Sequence, residues 1–202
     1  MKRLHILPIA LVLLACAAGT AAAAPSPTGF LKTIDEKLEP LLENTDENRD
    51  AILKIVNDML DFPQLCRKSL GKHWGGRTKS QRRDFCITLK ALIEKNFVNR
   101  LEESKGRTIE YQSEEVTGRN ASVVTRVSPA DPRAEKAEIE YKLKRTAKSW
   151  CVTDMVTDGV SLVNNYRSEF GKTIENDGWP VLMKKMKDKL AEREEDEKTS
   201  GP

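Results

Sequence analysis

The side chains that could perform acid–base chemistry are few in this sequence. His73 has a lysine and a tryptophan as neighbours rather than an acidic residue, so a surface or structural role is favoured for it. Asp154 and Asp158 are four residues apart and could form a pair of carboxylates for general acid–base catalysis. Asp158 could more simply cap a helix that begins near Val160. We therefore predict no catalytic residues, and we predict that the protein is not an enzyme.

Motifs for nucleophilic, phosphate or metal chemistry are also missing from the sequence. It contains neither a Gly-x-Ser-x-Gly motif nor a glycine-rich phosphate loop. Its histidines and cysteines lack the Cys-x-x-Cys and His-x-x-x-His spacings that hold zinc. We predict no cofactor and no metal.

The cysteines admit two interpretations. Cys66 and Cys86 fall on two predicted neighbouring helices that a short loop connects, so a disulfide between them is geometrically possible. Alternatively, these two and Cys151 are buried thiols, because free cysteine is among the most buried residue types.

The first 23 residues have the pattern of an export signal. Lys2 and Arg3 precede an apolar stretch, and Ala21-Ala22-Ala23 forms a small-residue site after which we predict cleavage. Leu13-Leu14-Ala15-Cys16 is also an acceptable lipoprotein box, in which Cys16 would be acylated. We therefore expect a periplasmic protein, with a membrane-anchored lipoprotein as the alternative.

Length and charge limit what the mature protein can be. The chain has 202 residues, with 34 Lys and Arg against 31 Asp and Glu. This length suits one domain, which we place at 24–192, and the near-neutral balance argues against nucleic acid as a partner. We expect a monomer. The charged stretch 193–202 is predicted to be disordered.

Hydrophobic periodicity divides the domain into three parts. Apolar residues recur at helical spacing in the first half, where Pro40 interrupts one helix and Thr78 with Gln81 forms a capping box before a long one. From Arg107 onwards the apolar residues recur at every second position, which predicts four antiparallel strands with one polar face. Helical spacing then returns up to Leu190. This order predicts an α+β fold in which N-terminal and C-terminal helices cover one face of a curved four-stranded antiparallel sheet.

A basic segment interrupts the balanced charge. Between Phe62 and Arg83 no residue is acidic, and seven are positively charged. Such a segment can attract anionic lipid headgroups or guide docking to an acidic protein, although many charge runs are only solvated surface. The seven candidate contact residues are Arg67, Lys68, Lys72, Arg77, Lys79, Arg82 and Arg83.

Two blocks of the sequence resemble the MlaC family, the toluene-tolerance auxiliary proteins. The first block contains a Leu-Gly-x-x-Trp helix end, and the second an Asp-Gly-Val-Ser-Leu turn after the last strand. The residues that carry the resemblance are Phe62, Cys66, Arg67, Ser69, Leu70, Gly71, Trp74, Thr78, Gln81, Phe85, Trp150, Asp154, Asp158, Gly159, Val160, Ser161, Leu162, Tyr166, Arg167 and Phe170.

This resemblance implies a fold, a ligand and partners. The fold would be similar to the NTF2-like architecture, with a deep apolar pocket between sheet and helices. The ligand would be a phospholipid, carried between an outer-membrane lipid complex and an inner-membrane ABC lipid transporter. Such carriers serve the lipid asymmetry of the outer membrane.

The candidate pocket lining combines one face of the sheet with inward positions of the helices. Periodicity marks an inward face but does not distinguish a pocket wall from filled core. A periplasmic adaptor with a filled core therefore remains the alternative function. The candidate lipid-binding residues are Met59, Leu60, Leu70, Phe85, Leu89, Ile93, Val124, Tyr141, Leu143, Val152, Val160 and Val163.

Overall fold

The structure is a computed structural model that describes residues 24–103 and 105–199. The predicted signal segment 1–23 and the alternative lipidation site Cys16 lie outside the described residues. Within the described ranges, the longest apolar stretches of helix fall short of what a membrane crossing requires.

Four helices precede the sheet. They are α1 (Pro27–Leu38), α2 (Arg49–Met59), α3 (Phe62–Leu70) and α4 (Lys79–Glu103). Pro40 lies in a 3-10 turn, Glu39–Asn44, so α1 ends before this proline rather than bending at it.

Side-chain caps explain where two of these helices begin. The backbone N–H of Gln81 donates to Thr78 Oγ1 at 3.1 Å, and the N–H of Thr78 donates to Gln81 Oε1 at 3.0 Å. The predicted capping box is therefore confirmed at the start of α4. Asp61 caps α3 by accepting a hydrogen bond from the N–H of Gln64.

One antiparallel sheet follows, with its strands in chain order. The strands are β1 (Thr108–Thr117), β2 (Asn120–Ser128), β3 (Ala137–Arg145), β4 (Trp150–Thr157) and β5 (Val160–Ser161). The α+β class with an antiparallel sheet and helices is confirmed. The expected number of four strands was wrong by one, because the tight turn after Thr157 folds Val160 and Ser161 back onto the end of β4.

The register of β2 corrects one predicted inward residue. Val123 is fully buried and lies opposite Tyr141 on β3, whereas Val124 lies opposite Glu140 and is only half-buried. Because side chains alternate between the two faces of a strand, Val124 points away from the helices. The prediction that Val124 faces inward was therefore wrong, and Val123 occupies the inward position.

Two helices complete the domain, α5 (Leu162–Asp177) and α6 (Trp179–Thr199). The backbone of α6 continues through 193–199, where disorder was expected. The arginine, glutamate and lysine residues that make this stretch polar are also strong helix formers.

The core lies between the inward face of the sheet and the helices. Phe85 of α4 is fully buried and packs edge-on against Phe170 of α5, with ring centroids 5.5 Å apart. On the other side of the core, the N–H of Asp61 donates to the carbonyl of Val152, so the start of α3 is attached directly to β4. These contacts set the spacing between α3, α4, α5 and β4.

A disulfide joins α3 to α4. Cys66 and Cys86 are bonded with their Cα atoms 5.5 Å apart, and Cys151 is free among the described cysteines. The bridge closes a loop that contains the whole basic segment between the two helices.

Removal of this bridge is expected to lower the free energy of unfolding. The two cysteines are 20 residues apart, and a loop of this length corresponds to about 3 kcal/mol of loop-closure entropy in the unfolded chain. A variant carrying Cys66→Ala and Cys86→Ala should show this loss in urea unfolding under oxidising conditions. Cys151→Ala is the matched control, and a double variant as stable as this control would contradict the prediction.

Candidate functional site

Two cavities lie between the sheet and the helices. The larger has a volume of about 670 Å³ and is enclosed by α3, the second half of α4, β4, β5, α5 and one residue of α6. Its floor consists of buried and half-buried side chains that are mostly apolar, and its rim consists of exposed and half-buried side chains that are mostly polar. The floor is formed by Leu60, Leu65, Ile93, Phe97, Val152, Asp154, Met155, Leu162 and Tyr166, and the rim by Asn96, Asn99, Arg100, Thr157, Val160, Asn165, Glu169 and Lys189.

The smaller cavity lies under α1 and has a volume of about 430 Å³. Most of its wall is aliphatic or aromatic, and the exceptions are Asp35, Arg100, Arg107 and Thr157. The wall is formed by Leu31, Ile34, Asp35, Leu38, Met59, Phe97, Arg100, Leu101, Arg107, Ile109, Tyr111, Val127, Pro129, Ala137, Ile139, Tyr141, Met155 and Thr157.

The two cavities adjoin each other. Phe97 and Arg100 of α4, with Met155 and Thr157 of β4, line both of them. These four residues therefore mark the seam between a chamber beside α5 and a chamber beneath α1. Both volumes fall within the range of about 300–1,000 Å³ that is typical of small-molecule sites.

Half of the predicted pocket residues line these cavities. Leu60, Ile93, Val152 and Val160 line the larger one, and Met59 and Tyr141 the smaller one. Val160 does so from β5 rather than from a helix, and 61% of it is exposed. Five others are buried in filled core outside both cavities, namely Leu70, Phe85, Leu89, Leu143 and Val163.

The seam residues were not predicted as pocket lining. Phe97 has the same helical spacing as the core residue Leu89, and Met155 is the last residue of an apolar strand pattern. Both are only partly buried, although they pack against the core. No sequence pattern distinguishes a residue that borders a cavity from one in filled core. However, Arg100 lies one turn after Asn96 on the same helix face, and this pair could have indicated a polar rim.

A polar cluster lies within the wall of the smaller cavity. The Tyr111 hydroxyl donates to the Asp35 carboxylate, and a guanidinium nitrogen of Arg107 lies 4.0 Å from the same group. Burial raises the pKa of Asp35 above its ordinary value, although Tyr111 and Arg107 both act against this shift. Burial, with the Asp35 charge nearby, raises the pKa of Tyr141 to about 12, so this phenol is neutral at physiological pH.

Asp35 is therefore expected to make stability depend on pH. Because the pKa of Asp35 is higher in the folded chain, the folded state binds the carboxyl proton more tightly than the unfolded chain does. The resulting contribution to the free energy of unfolding is lost as the pH rises through the raised pKa. Asp35→Asn should accordingly increase thermal stability at pH 7, and the gain should shrink as the pH falls towards 3.8. Glu36→Gln, at an exposed neighbour on the same helix, is the control. A constant difference between Asp35→Asn and the wild type across this range would contradict the prediction.

Asp154 accepts hydrogen bonds from three groups around the start of α5. Its carboxylate accepts hydrogen bonds from Ser161 Oγ at 2.6 Å, from the N–H of Met155 at 2.9 Å and from the N–H of Val163 at 3.1 Å. Ser161 in turn caps α5 through the N–H of Asn164. These bonds attach β4 to the first turn of α5.

Asp158 does not cap α5 as expected. It lies in the turn between β4 and β5 with a positive φ of 49°, and its side chain accepts from the N–H of Glu138 at 3.1 Å. The helix begins at Leu162, which is later than predicted, so Ser161 takes the capping position. A left-handed residue at this point makes the turn tight enough to pair β5 with β4.

The basic segment lies away from the seam, around the end of α3 and the start of α4. Arg82 donates to the carbonyls of Trp74 and Gly75, and Arg77 stacks on the ring of Trp179 at 4.9 Å. Lys72 forms an ion pair with Glu175 at 2.6 Å, and hydrogen bonding to Lys72 lowers the pKa of that glutamate. Three of the seven are thus in internal contacts. Arg67, Lys79 and Arg83 are exposed, and Lys68 is half-buried.

His73 belongs to the same surface. Its Nε2 lies 3.6 Å from Glu175 Oε1, close to Gly171 of α5. It lies beside the second half of α5 and lines neither of the two cavities. Among the described residues, no group of histidine, cysteine and acidic side chains could hold a metal ion.

Known proteins resemble this chain in sequence and in fold. The "intermembrane phospholipid transport system binding protein MlaC" of Haemophilus influenzae is 28% identical over 138 residues, which are 65% of this chain and 64% of that protein. The chain thus spans slightly less than two thirds of this curated relative. A phospholipid-binding protein from Ralstonia solanacearum, solved in complex with a phospholipid, is similar in fold, with a TM-score of 0.70 and 17% identity over 83% of this chain and 98% of that one.

A family model gives the assignment. The model of the MlaC protein matches residues 28–188, which include every element from α1 to most of α6. This match covers both blocks on which the resemblance was first based. The chain therefore belongs to the MlaC family.

Proposed function

We propose that this protein is a periplasmic carrier that holds a phospholipid with its acyl chains in the two cavities. The observation that carries the proposal is the pair of adjoining hollows with apolar floors between sheet and helices. The Haemophilus relative's name and the phospholipid bound to the Ralstonia protein support the same ligand class.

The physical need for such cavities follows from the cost of exposing acyl chains to water. Each methylene costs about 0.8 kcal/mol, and a two-chain lipid has about 30 of them, so passage through water without a carrier is prohibitively slow. A carrier must exclude water from the tails while leaving the polar end near solvent. An apolar floor with a polar rim, as in the larger cavity, meets both requirements.

The two chambers suit a ligand with two tails. One chain would follow the floor along Leu65, Ile93 and Tyr166, and the other would run beneath α1 towards Leu31 and Ile139. Phe97 and Met155, which face both chambers, would separate the chains where they diverge. The protein would then pass its lipid between an outer-membrane lipid complex and an inner-membrane ABC lipid transporter.

The exposed part of the basic segment is the surface that we assign to a protein partner in this exchange. Arg67, Lys79 and Arg83 remain available to acidic side chains of a transport complex. The disulfide holds α3 and α4 together beside them. Attraction of this kind accelerates association and weakens with added salt, so partner binding should fall steeply between low and physiological ionic strength.

Native mass spectrometry of freshly purified protein tests the carrier function. One phospholipid per chain, lost on organic extraction and restored by incubation with vesicles, is the expected result. A chain that never carries lipid and cannot be loaded would contradict the proposal and would favour the adaptor function instead.

A further inference from the structure

We infer that Arg100 binds the phosphate of the carried phospholipid at the seam between the two cavities. This inference rests on the proposed carrier function and adds to it a specific contact for the headgroup. Arg100 is the only cationic residue of the described chain that lines both chambers. In a diacyl lipid the phosphate is attached next to the point from which the two tails diverge, so a lipid with one tail in each chamber places its phosphate near this residue.

The guanidinium of Arg100 is available to a ligand. Arg100 is exposed, and its side chain makes no hydrogen bond or ion pair within the described part of the chain. Arg107, the other arginine of the cavity walls, already lies beside the carboxylate of Asp35. A planar guanidinium with paired N–H donors fits phosphate oxygens in a bidentate arrangement, which makes it a stronger phosphate ligand than an ammonium group.

The neighbouring rim adds further donors. On α4, Asn96 lies one helical turn before Arg100, and Asn99 lies directly before it. All three residues line the larger cavity. Lys189 of α6 supplies a second positive charge on this rim, opposed by Glu169 of α5. Amide groups can hydrogen-bond to ester and phosphate oxygens alike, so the rim combines a charged contact with neutral ones.

Arg100 also has a structural role that must be separated from ligand binding. It lies in the last turn of α4, where a positive charge offsets the negative end of the helix dipole. A purely structural role would make Arg100→Gln affect every ligand of the cavities equally. A phosphate contact would make it affect only ligands that contain a phosphate.

The test compares phosphatidylglycerol with diacylglycerol of the same acyl chains. Delipidated protein is incubated with vesicles containing both lipids, re-isolated, and its bound lipids are quantified by mass spectrometry. Because a hydrogen-bonded charge pair typically changes binding by about tenfold, Arg100→Gln should lower the ratio of phosphatidylglycerol to diacylglycerol about tenfold while retaining diacylglycerol. Arg126→Gln, at an exposed arginine of β2 that lines neither cavity, should leave the ratio unchanged.

Two results would overturn the inference. One is an unchanged ratio in Arg100→Gln, and the other is an equal loss of both lipids in that variant. Failure of the carrier function itself is distinguishable from both, because the wild-type protein would then take up neither lipid.

Discussion

Met155→Glu is expected to abolish lipid loading while the protein remains folded. Met155 lines both cavities and is only partly buried, so the unfolded chain and the empty folded chain can both solvate a new carboxylate there. An acyl chain packed against this carboxylate would strip away its water, at a cost of several kcal/mol, and loading should fall more than about a hundredfold. Lipid uptake from vesicles measures the loss, and circular dichroism with thermal unfolding establishes that the variant is folded.

Val124→Glu is the matched control for this experiment. Val124 is also an aliphatic residue of the sheet, but it lies on the face opposite the cavities, across from Glu140. The same charge should leave lipid uptake close to that of the wild type. A folded Met155→Glu variant that loads normally would place the acyl chains elsewhere, and a loss of uptake in Val124→Glu alone would place them on the outward face.

Leu143 and Val152 are less suitable positions for a charge. Their exposed fractions are 2% and 0%, and Leu143 contacts filled core rather than either cavity. A glutamate at either position would be buried in the empty protein as well, where an unpaired charge prevents folding. Loss of loading in these variants would therefore report unfolding.

Asp154→Ala is expected to destabilise the protein by about 3 kcal/mol or more. The substitution removes a nearly buried carboxylate that accepts from Ser161, Met155 and Val163, and it leaves two backbone donors and one hydroxyl without their acceptor. Hydrogen bonds to a charged group are each worth about 1.5–3 kcal/mol, and unsatisfied buried donors add a further cost. Urea unfolding followed by tryptophan fluorescence measures the change.

Two variants show whether this loss arises from the hydrogen-bond network. Asp158→Ala removes a carboxylate of the same turn that accepts one bond from the N–H of Glu138 at an exposed position, and it places alanine at a left-handed φ, so its cost should be about 1–2 kcal/mol. Asp154→Asn keeps one acceptor oxygen and should be less destabilising than Asp154→Ala. Equal stabilities of the Asp154→Ala and Asp158→Ala variants would refute the role assigned to Asp154.

Much of the fold was accessible from the sequence because its signals are local. The capping box at Thr78 and Gln81, the break at Pro40 and the change from helical to strand periodicity at Arg107 depend on residues a few positions apart. Such patterns predict where elements begin and which class of fold they form. They also place Asp158 in a turn, although not the hydrogen bond that its side chain makes.

The inward residue of β2 was predicted wrongly although a local signal was present. Val124 shares its face with Ser122 and Arg126, whereas Val123 shares its face with Ala121, Thr125 and Val127, so alternation favours Val123 as the inward residue. Pairing with β3 agrees, because Val123 is opposite Tyr141. The fifth strand was missed because two residues are too few to form a periodic pattern.

The sequence by itself determined the class of fold, the order of its main elements, the capping box at Thr78 and the family of this protein, because each of these depends on residues close together in the chain or on their identities alone. The tertiary structure decided which apolar residues face a cavity and which face filled core. Leu89 and Phe97 are equivalent in helical pattern, yet only Phe97 borders unfilled space. A cavity is the volume that α1, α4, α5 and β4 leave between them, and this volume depends on the packing of all these elements rather than on any one segment.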